Sequence, residues 1–290
     1  MPRLCVHEAP VAGPSALLFV SLWRVLAHNI AVLEHRWLSG PASLAFGALC
    51  GTVGVLLVWR GRQRDELSAS LHGFAGGALL WMRWFEHSFE FFARLMQVPP
   101  LVWNGVPALP PNLVLLQGSV VMLLALLLLL GMNRDTGCRM FLWVRRHLHL
   151  DAGAPTPGLR KSYARIAALE YVMVSWFMYA VILLLLDPRL LGPRHPATAW
   201  LAAALCVWAG YLCLWRAPKL APLAGALRWA IGAGGIVWLV VELAAQLRWI
   251  EEVWVRPEAA PLLNSAFWIA FAWLGWRMFR PPAPQGATRS

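Results

Sequence analysis

The sequence predicts an all-α fold, a polytopic membrane bundle of about eight transmembrane helices, and three observations carry that expectation. The 290 residues are 59% hydrophobic and only 13% charged, with a mean hydropathy of +0.58, far from the balance of a soluble domain. Apolar stretches of about twenty residues recur along the chain, each long enough to cross the hydrocarbon core of a bilayer. The 18 Trp residues, many of them near the ends of these stretches, fit the aromatic belts that anchor spans at the interface.

The first stretch, 15–38, carries Arg24 and His28 and has no small-residue cleavage motif behind it, so it is expected to stay as an anchor rather than leave as a signal peptide. The second, 40–60, ends in Trp59-Arg60. The third, 68–96, is apolar yet holds His72, Arg83, Glu86, His87, Glu90 and Arg94. At about 100° per residue these six share with Gly76 roughly a third of a helix circumference, which predicts one polar face. Val98 to Asn112 contains Pro99, Pro100, Pro107, Pro110 and Pro111 and reads as a stiff non-helical cap over the outer mouth or a simple connection. The Leu-rich fourth stretch, 113–132, is expected to face lipid. Met140 to Leu150 mixes apolar and basic residues, as a short interfacial helix would, with anionic lipid near Arg145 and Arg146. The remaining spans are expected at 163–186, 197–216, 222–250 and 260–279.

Sorting the 25 Lys and Arg residues by alternate loops puts sixteen on the side of both termini and five, Arg36, Arg189, Arg194, Arg248 and Arg256, on the other. The positive-inside rule then places both termini in the cytoplasm and the chain in a cytoplasmic (inner) membrane. The same distribution accounts for the net charge of +11 without nucleic acid, because the basic residues sit at span ends rather than on one arm. The 5 cysteines show no CxxC spacing, so neither a disulfide framework nor a thiolate metal site is implied.

A repeat is visible at an offset of 156 residues: Ala48, Leu49, Cys50, Gly54, Leu56, Trp59 and Arg60 match Ala204, Leu205, Cys206, Gly210, Leu212, Trp215 and Arg216. The same offset sets Glu86 on Glu242, Glu90 on Gln246 and His72 on Arg228. This suggests two tandem four-helix halves in one orientation, 1–132 and 163–290, joined by a cytoplasmic linker at 133–162. Chance matching of Ala, Leu and Gly in membrane sequence is the alternative. Gly76-Gly77 and Gly234-Gly235 are expected to mark close helix contacts.

Ionisable side chains at membrane depth are costly and usually face a protein interior or a watery cavity. Arg24, His28 and His35 fall on one stripe of the first span, and Arg228, Gly235, Glu242 and Gln246 on one stripe of the seventh. With the third span they form a ladder of polar groups. His35, His87 and Glu242 lie roughly 28–30 Å from the cytoplasmic start of their spans, with Glu34, Glu86 and Glu90 within a turn.

Such a ladder suits a transporter or an ion- or proton-translocating protein, with Glu86 and Glu242 as paired sites, His87 as proton acceptor and Arg83 as the counter-charge that tunes them. A second reading is a membrane enzyme whose outer-face cluster, Glu86, His87, Glu90 and His35, holds a metal or acts as acid and base on a lipid-like or quinone-like substrate. His35 and His87 share a depth and are the candidate axial pair if the group is haem. A third is a subunit of a larger membrane complex or a homo-oligomer. A passive alternative pairs Arg83 with Glu86 and Arg94 with Glu90 along one helix, the long side chains snorkelling outward. Glu170 with Arg165 reads as an interfacial charge or an inner-mouth carboxylate.

Two short strings resemble known families without carrying their context. Glu251 to Arg256 is similar to the EExxxR string of CAAX-type intramembrane proteases, but no histidine follows it. Glu34-His35-Arg36 is similar to the acidic-His-Arg element of the duplicated, eight-helix haem A synthases, yet the second half offers only His195. Neither family is assigned, and substrate, cofactor and enzymatic activity stay open.

Overall fold

The computed structural model describes residues 6–38 and 40–280; Arg3, Cys5 and Arg289 lie outside them. The described chain is almost wholly helical. Helix α1 (Ala12–Trp37) is followed by α2 (Gly40–Gly61), α3 (Glu66–Leu80), a π turn (Trp81–Glu86) and α4 (His87–Leu95). A hairpin of β1 (Leu101–Trp103) and β2 (Val106–Leu109) leads to α5 (Pro111–Gln117), α6 (Val120–Gly131) and α7 (Arg139–His147). Then come α8 (Tyr163–Leu186), α9 (Pro196–Tyr211), extended by π and 3₁₀ turns to Lys219, α10 (Leu223–Gln246) and α11 (Pro261–Phe279).

Among the described residues, five helices are long and apolar enough to cross a membrane: α1, α2, α8, α9 with its extension, and α10. Helices α5 and α6 make a sixth if taken as one span bent by 45°. The other two expected positions are helical but do not meet that test. Glu66 to Leu95 is divided by the π turn, and α11 is a 19-residue helix with Arg277 in its last turn and Arg280 just after its end.

Helices α1, α3, α8 and α10 form the centre, with α2 against α3, α9 against α10, α11 against α1 and α6 against α8 and α7. Small residues set these distances. A Cβ on Gly54 would stand 2.9 Å from the Gly76 carbonyl oxygen, one on Gly77 2.8 Å from the Ala168 backbone, and one on Gly235 2.7 Å from Val174. The expected close contacts at Gly76-Gly77 and Gly234-Gly235 are therefore present, in the manner of membrane helices that approach through glycine. Outward faces are apolar: Leu49, Leu56 and Trp59 on α2, Val121 and Leu129 on α6, Trp200 and Val207 on α9, and Leu262 and Ile269 on α11 are exposed. The α6 stretch turns Leu124, Leu128 and Leu129 outward and buries Leu123 and Leu127.

The proline-rich segment departs from a plain cap. Asn104 (φ 51°) and Gly105 (φ 78°) make a tight turn with both residues left-handed, the geometry that joins twisted antiparallel strands. A short helix forms at 139–147, with Phe141 and Val144 buried, Arg145 half-buried and Arg146 exposed. His7 Nε2 lies 2.9 Å from the Arg280 carbonyl oxygen, so both ends of the described chain meet at one end of the bundle. The loops 98–110, 187–195 and 247–260 gather at the other.

Candidate functional site

The polar interior starts on α1. Two adjacent residues there, Glu34 and His35, reach the third span in different directions. Glu34 is buried and pairs with Arg83 of the π turn, both side chains almost wholly enclosed. Glu34 Oε1 also accepts from Ser43 Oγ at 3.2 Å and lies 3.6 Å from His87 Nδ1, and Ser43 Oγ is 3.4 Å from His87 Nε2. His35 Nε2 is 2.6 Å from Glu90 Oε1, and Arg94 closes on the same carboxylate. His35 and His87 each face a carboxylate, Glu90 and Glu34 respectively, rather than one another.

The π turn explains why periodicity misassigned one pair. The backbone N–H of His87 bonds the carbonyl of Met82, five residues back, which sets the following helix behind by about one residue, or roughly 100°. Arg83 and His87 turn to Glu34 and Ser43, while Glu86 turns to α8 and accepts from Tyr179 Oη at 2.6 Å. The expected Arg83–Glu86 counter-charge pair is therefore corrected to Arg83–Glu34. Arg94–Glu90 forms as spacing predicts.

Deeper in the bundle, Arg24 is 6% exposed, donates through Nη1 to Ser175 Oγ at 2.8 Å and lies over the Tyr171 ring at 4.5 Å. Its Nε and Nη2 have no hydrogen-bond partner, and neither has Glu242 Oε2. Both residues line one internal cavity of about 30 Å³ with His28, Glu86, Tyr171 and Tyr179. A neighbouring cavity of about 40 Å³ is lined by Glu34, His35, Arg83, His87 and Glu90, and the two share Ala27, His28, Met82 and Glu86. Comparison of the chain with protein-family models, curated proteins and solved structures gave no match. The chemistry of this interior therefore rests on its own geometry.

Towards the end where loops 98–110, 187–195 and 247–260 gather, Gln246 Nε2 donates to Glu242 Oε1 at 3.4 Å and to Glu252 Oε1 at 3.2 Å. Gln246 and Glu252 line an open cavity of about 1300 Å³ with Trp103, Arg194, His195, Arg248 and Arg256. Burial, followed by the nearby Glu242 carboxylate, pushes the Glu252 carboxyl above its ordinary value. The 247–260 loop folds back over the bundle. Asn29 Nδ2 donates to the Trp254 carbonyl at 2.8 Å and Asn264 Nδ2 to that of Val253 at 3.0 Å. The buried Trp254 ring meets Trp238 edge-on, and Trp238 lies against His28.

In the other direction the polar groups stop at an aromatic layer of Phe19, Trp23, Phe74, Tyr171 and Phe271, with ring centroids 4.5–6.3 Å apart. Beyond it, Arg228 pairs with Glu66 at 2.5 Å and donates to Ser70 Oγ at 2.7 Å. Glu170 is 2% exposed with Oε2 unpartnered. His72 turns away: its Nδ1 is 2.8 Å from the Ser68 carbonyl, and its Cβ faces Gly61 of α2. The ladder is thus two polar regions split by rings.

Of the sequence candidates, Arg24, His28, Glu86 and Glu242 converge on one cavity and Arg83, His87, His35 and Glu90 on its neighbour, Gln246 links outward, and His72 stands apart. Glu86, His87, Glu90 and His35 do not meet as one ligand set. Among the described residues, no three His, Cys, Asp or Glu side chains are grouped as a metal ion requires. Ser43, Tyr171, Ser175 and Tyr179 complete the site. As uncharged residues on spans without charge stripes, they gave no signal to periodicity.

Proposed function

We propose that this protein is a multi-span membrane transporter or ion-translocating protein, its path lying between α1, the third span, α8 and α10. The observation that carries the reading is the convergence of Glu34, Glu86 and Glu242 with Arg24 and Arg83 on two adjoining internal cavities. Charged groups at that depth are costly unless used or paired. A wide cavity at one end leads to Gln246 and Glu242, and a ring layer lies on the other side, so the interior has an accessible end and a barrier.

Eight spans with both termini in the cytoplasm of an inner membrane agree with the charge sorting and with the meeting of His7 and Arg280. The tandem-repeat reading, halves at 1–132 and 163–290 about a linker, draws support from the packing. Exchanging first with fifth, second with sixth and third with seventh spans carries α3 on α8 into α10 on α1, and α2 on α3 into α9 on α10. It also places Glu86 and Glu242 on the same cavity. Arg145 and Arg146 on α7 would bind anionic lipid.

One observation favours the enzyme alternative: the outer cavity is of small-molecule size and carries Arg194, His195 and Glu252. Reconstitution separates the two. Flux in proteoliposomes that is lost in Glu86→Gln supports translocation. Absent flux in the parent, with stoichiometric metal on the purified protein, supports the enzyme.

A further inference from the structure

The cavity that joins α1, the third span, α8 and α10 has an unbalanced charge. Arg24 from α1 and the carboxylates of Glu86 and Glu242 face it, with His28 on α1 and the phenols Tyr171 and Tyr179 on α8 as its other titratable groups. Arg83, which also feels the Glu86 charge, is paired with Glu34, so one guanidinium against two carboxylates leaves one negative charge in excess. Two carboxylates at one such site can hold a single proton between them.

The hydrogen bonds divide the roles. Glu86 accepts from Tyr179 Oη at 2.6 Å. Glu242 Oε2 is buried with no acceptor or donor at all, and so are Nε and Nη2 of Arg24. A volume of about 30 Å³ admits one or two waters, but no hydrated metal ion and no organic solute. Water is the one small ligand that accepts from a guanidinium N–H and exchanges a proton with a carboxyl in that space.

We infer that Glu86 and Glu242 hold one exchangeable proton between them across water in this cavity, with Arg24 as fixed counter-charge, so that the species carried is the proton. In the transfer, the O–H bond at Glu242 Oε2 breaks as its proton passes to water. That water gives up another proton, and a new O–H bond forms on Glu86, leaving Glu242 anionic and the total charge unchanged. The outer cavity exchanges protons with Glu242, past Gln246 and Glu252, and the reverse of this step returns the proton from Glu86 to Glu242 for release there. The neighbouring Glu34 is not a competing acceptor, since Arg83 and Ser43 engage it. This deepens the translocation reading and rests on it for the direction of use.

Infrared difference spectra of the purified full-length protein, stepped in pH and taken throughout in a Glu170→Gln background that removes the other buried, unpartnered carboxyl, test the inference. A protonated-carboxyl band at neutral pH is expected in the parent, lost in both Glu86→Gln and Glu242→Gln, and unmoved when choline replaces sodium. Glu242→Asp, which keeps the carboxyl, should shift the band rather than remove it, and so guards against loss through misfolding. A band that survives both Gln variants, or that emerges only when sodium is withdrawn, would overturn the shared proton, the latter in favour of a bound cation. Proteoliposome flux separates the two claims. The expected band with no flux sinks translocation alone, whereas sodium flux with a sodium-dependent band sinks the proton alone.

Discussion

Removing the Glu34 charge should be the most damaging single change in the interior. Its side chain is 3% exposed and that of Arg83 4%, so Glu34→Gln strands a guanidinium away from water, with the Phe46 ring 5.2 Å from its centre and the more distant Glu86 charge in support. Breaking a buried pair from one side costs about 3–5 kcal/mol, or roughly two to three and a half decades in the folding equilibrium at about 1.4 kcal/mol per decade. Arg83→Met should cost a similar amount by stranding the carboxylate. The double variant Glu34→Gln/Arg83→Met removes both charges and leaves a neutral amide beside Ser43, so it should lie within about 2 kcal/mol of the parent. Reversible unfolding in mixed micelles, by titration of a denaturing detergent, measures all four proteins. The reasoning fails if the two single costs simply add in the double, because a coupled pair must give a large interaction energy.

Three other outcomes follow from the same geometry. Tyr179→Phe deletes a hydrogen bond to the Glu86 carboxylate and should destabilise by about 1.5–3 kcal/mol, read in the same unfolding assay; no change would mean that the bond is not made in the membrane. Asn29→Leu should release the 247–260 loop, so a cysteine placed at His28 in a cysteine-free background should react much faster with an impermeant thiol reagent than with Asn29 intact. Just past α8, the Asp187 carboxyl is held below its ordinary value by hydrogen bonds from Arg189 first and Gln117 after it. A depressed folded value means that this clasp contributes above the ordinary carboxylate range and is lost as pH falls through the depressed one. Protease sensitivity of the 187–195 loop should therefore rise in acid, and Asp187→Asn should be sensitive at every pH.

Five of the eight expected spans, and a sixth if α5 and α6 are taken together, meet the length and apolarity that bilayer crossing imposes on the chain itself. The interior was legible as a set of costly residues, but not as a set of pairs. Counting at 100° per residue put Arg83 beside Glu86, and the π turn at Trp81–Glu86 moved them onto different neighbours. His72 matched the stripe by angle yet bonds its own backbone, since angle does not tell which neighbour a face meets. Glu34 showed itself only by depth, and its bond to Ser43 depends on α2 packing against the third span through Gly47 and Gly54. The hairpin had a readable signal, Asn104-Gly105, which the density of prolines around it masked. The aromatic layer belongs to tertiary packing alone, because Phe19, Phe74 and Tyr171 come from three different spans.

Acidification of the proteoliposome lumen under an imposed membrane potential tests the central claim most directly. Parent protein and the linker variant Asp135→Asn should carry equal proton flux, Glu86→Gln and Glu242→Gln should insert and fold yet carry none, and the flux should not depend on sodium. Equal flux in the parent and both Glu variants would contradict an interior path through these carboxylates.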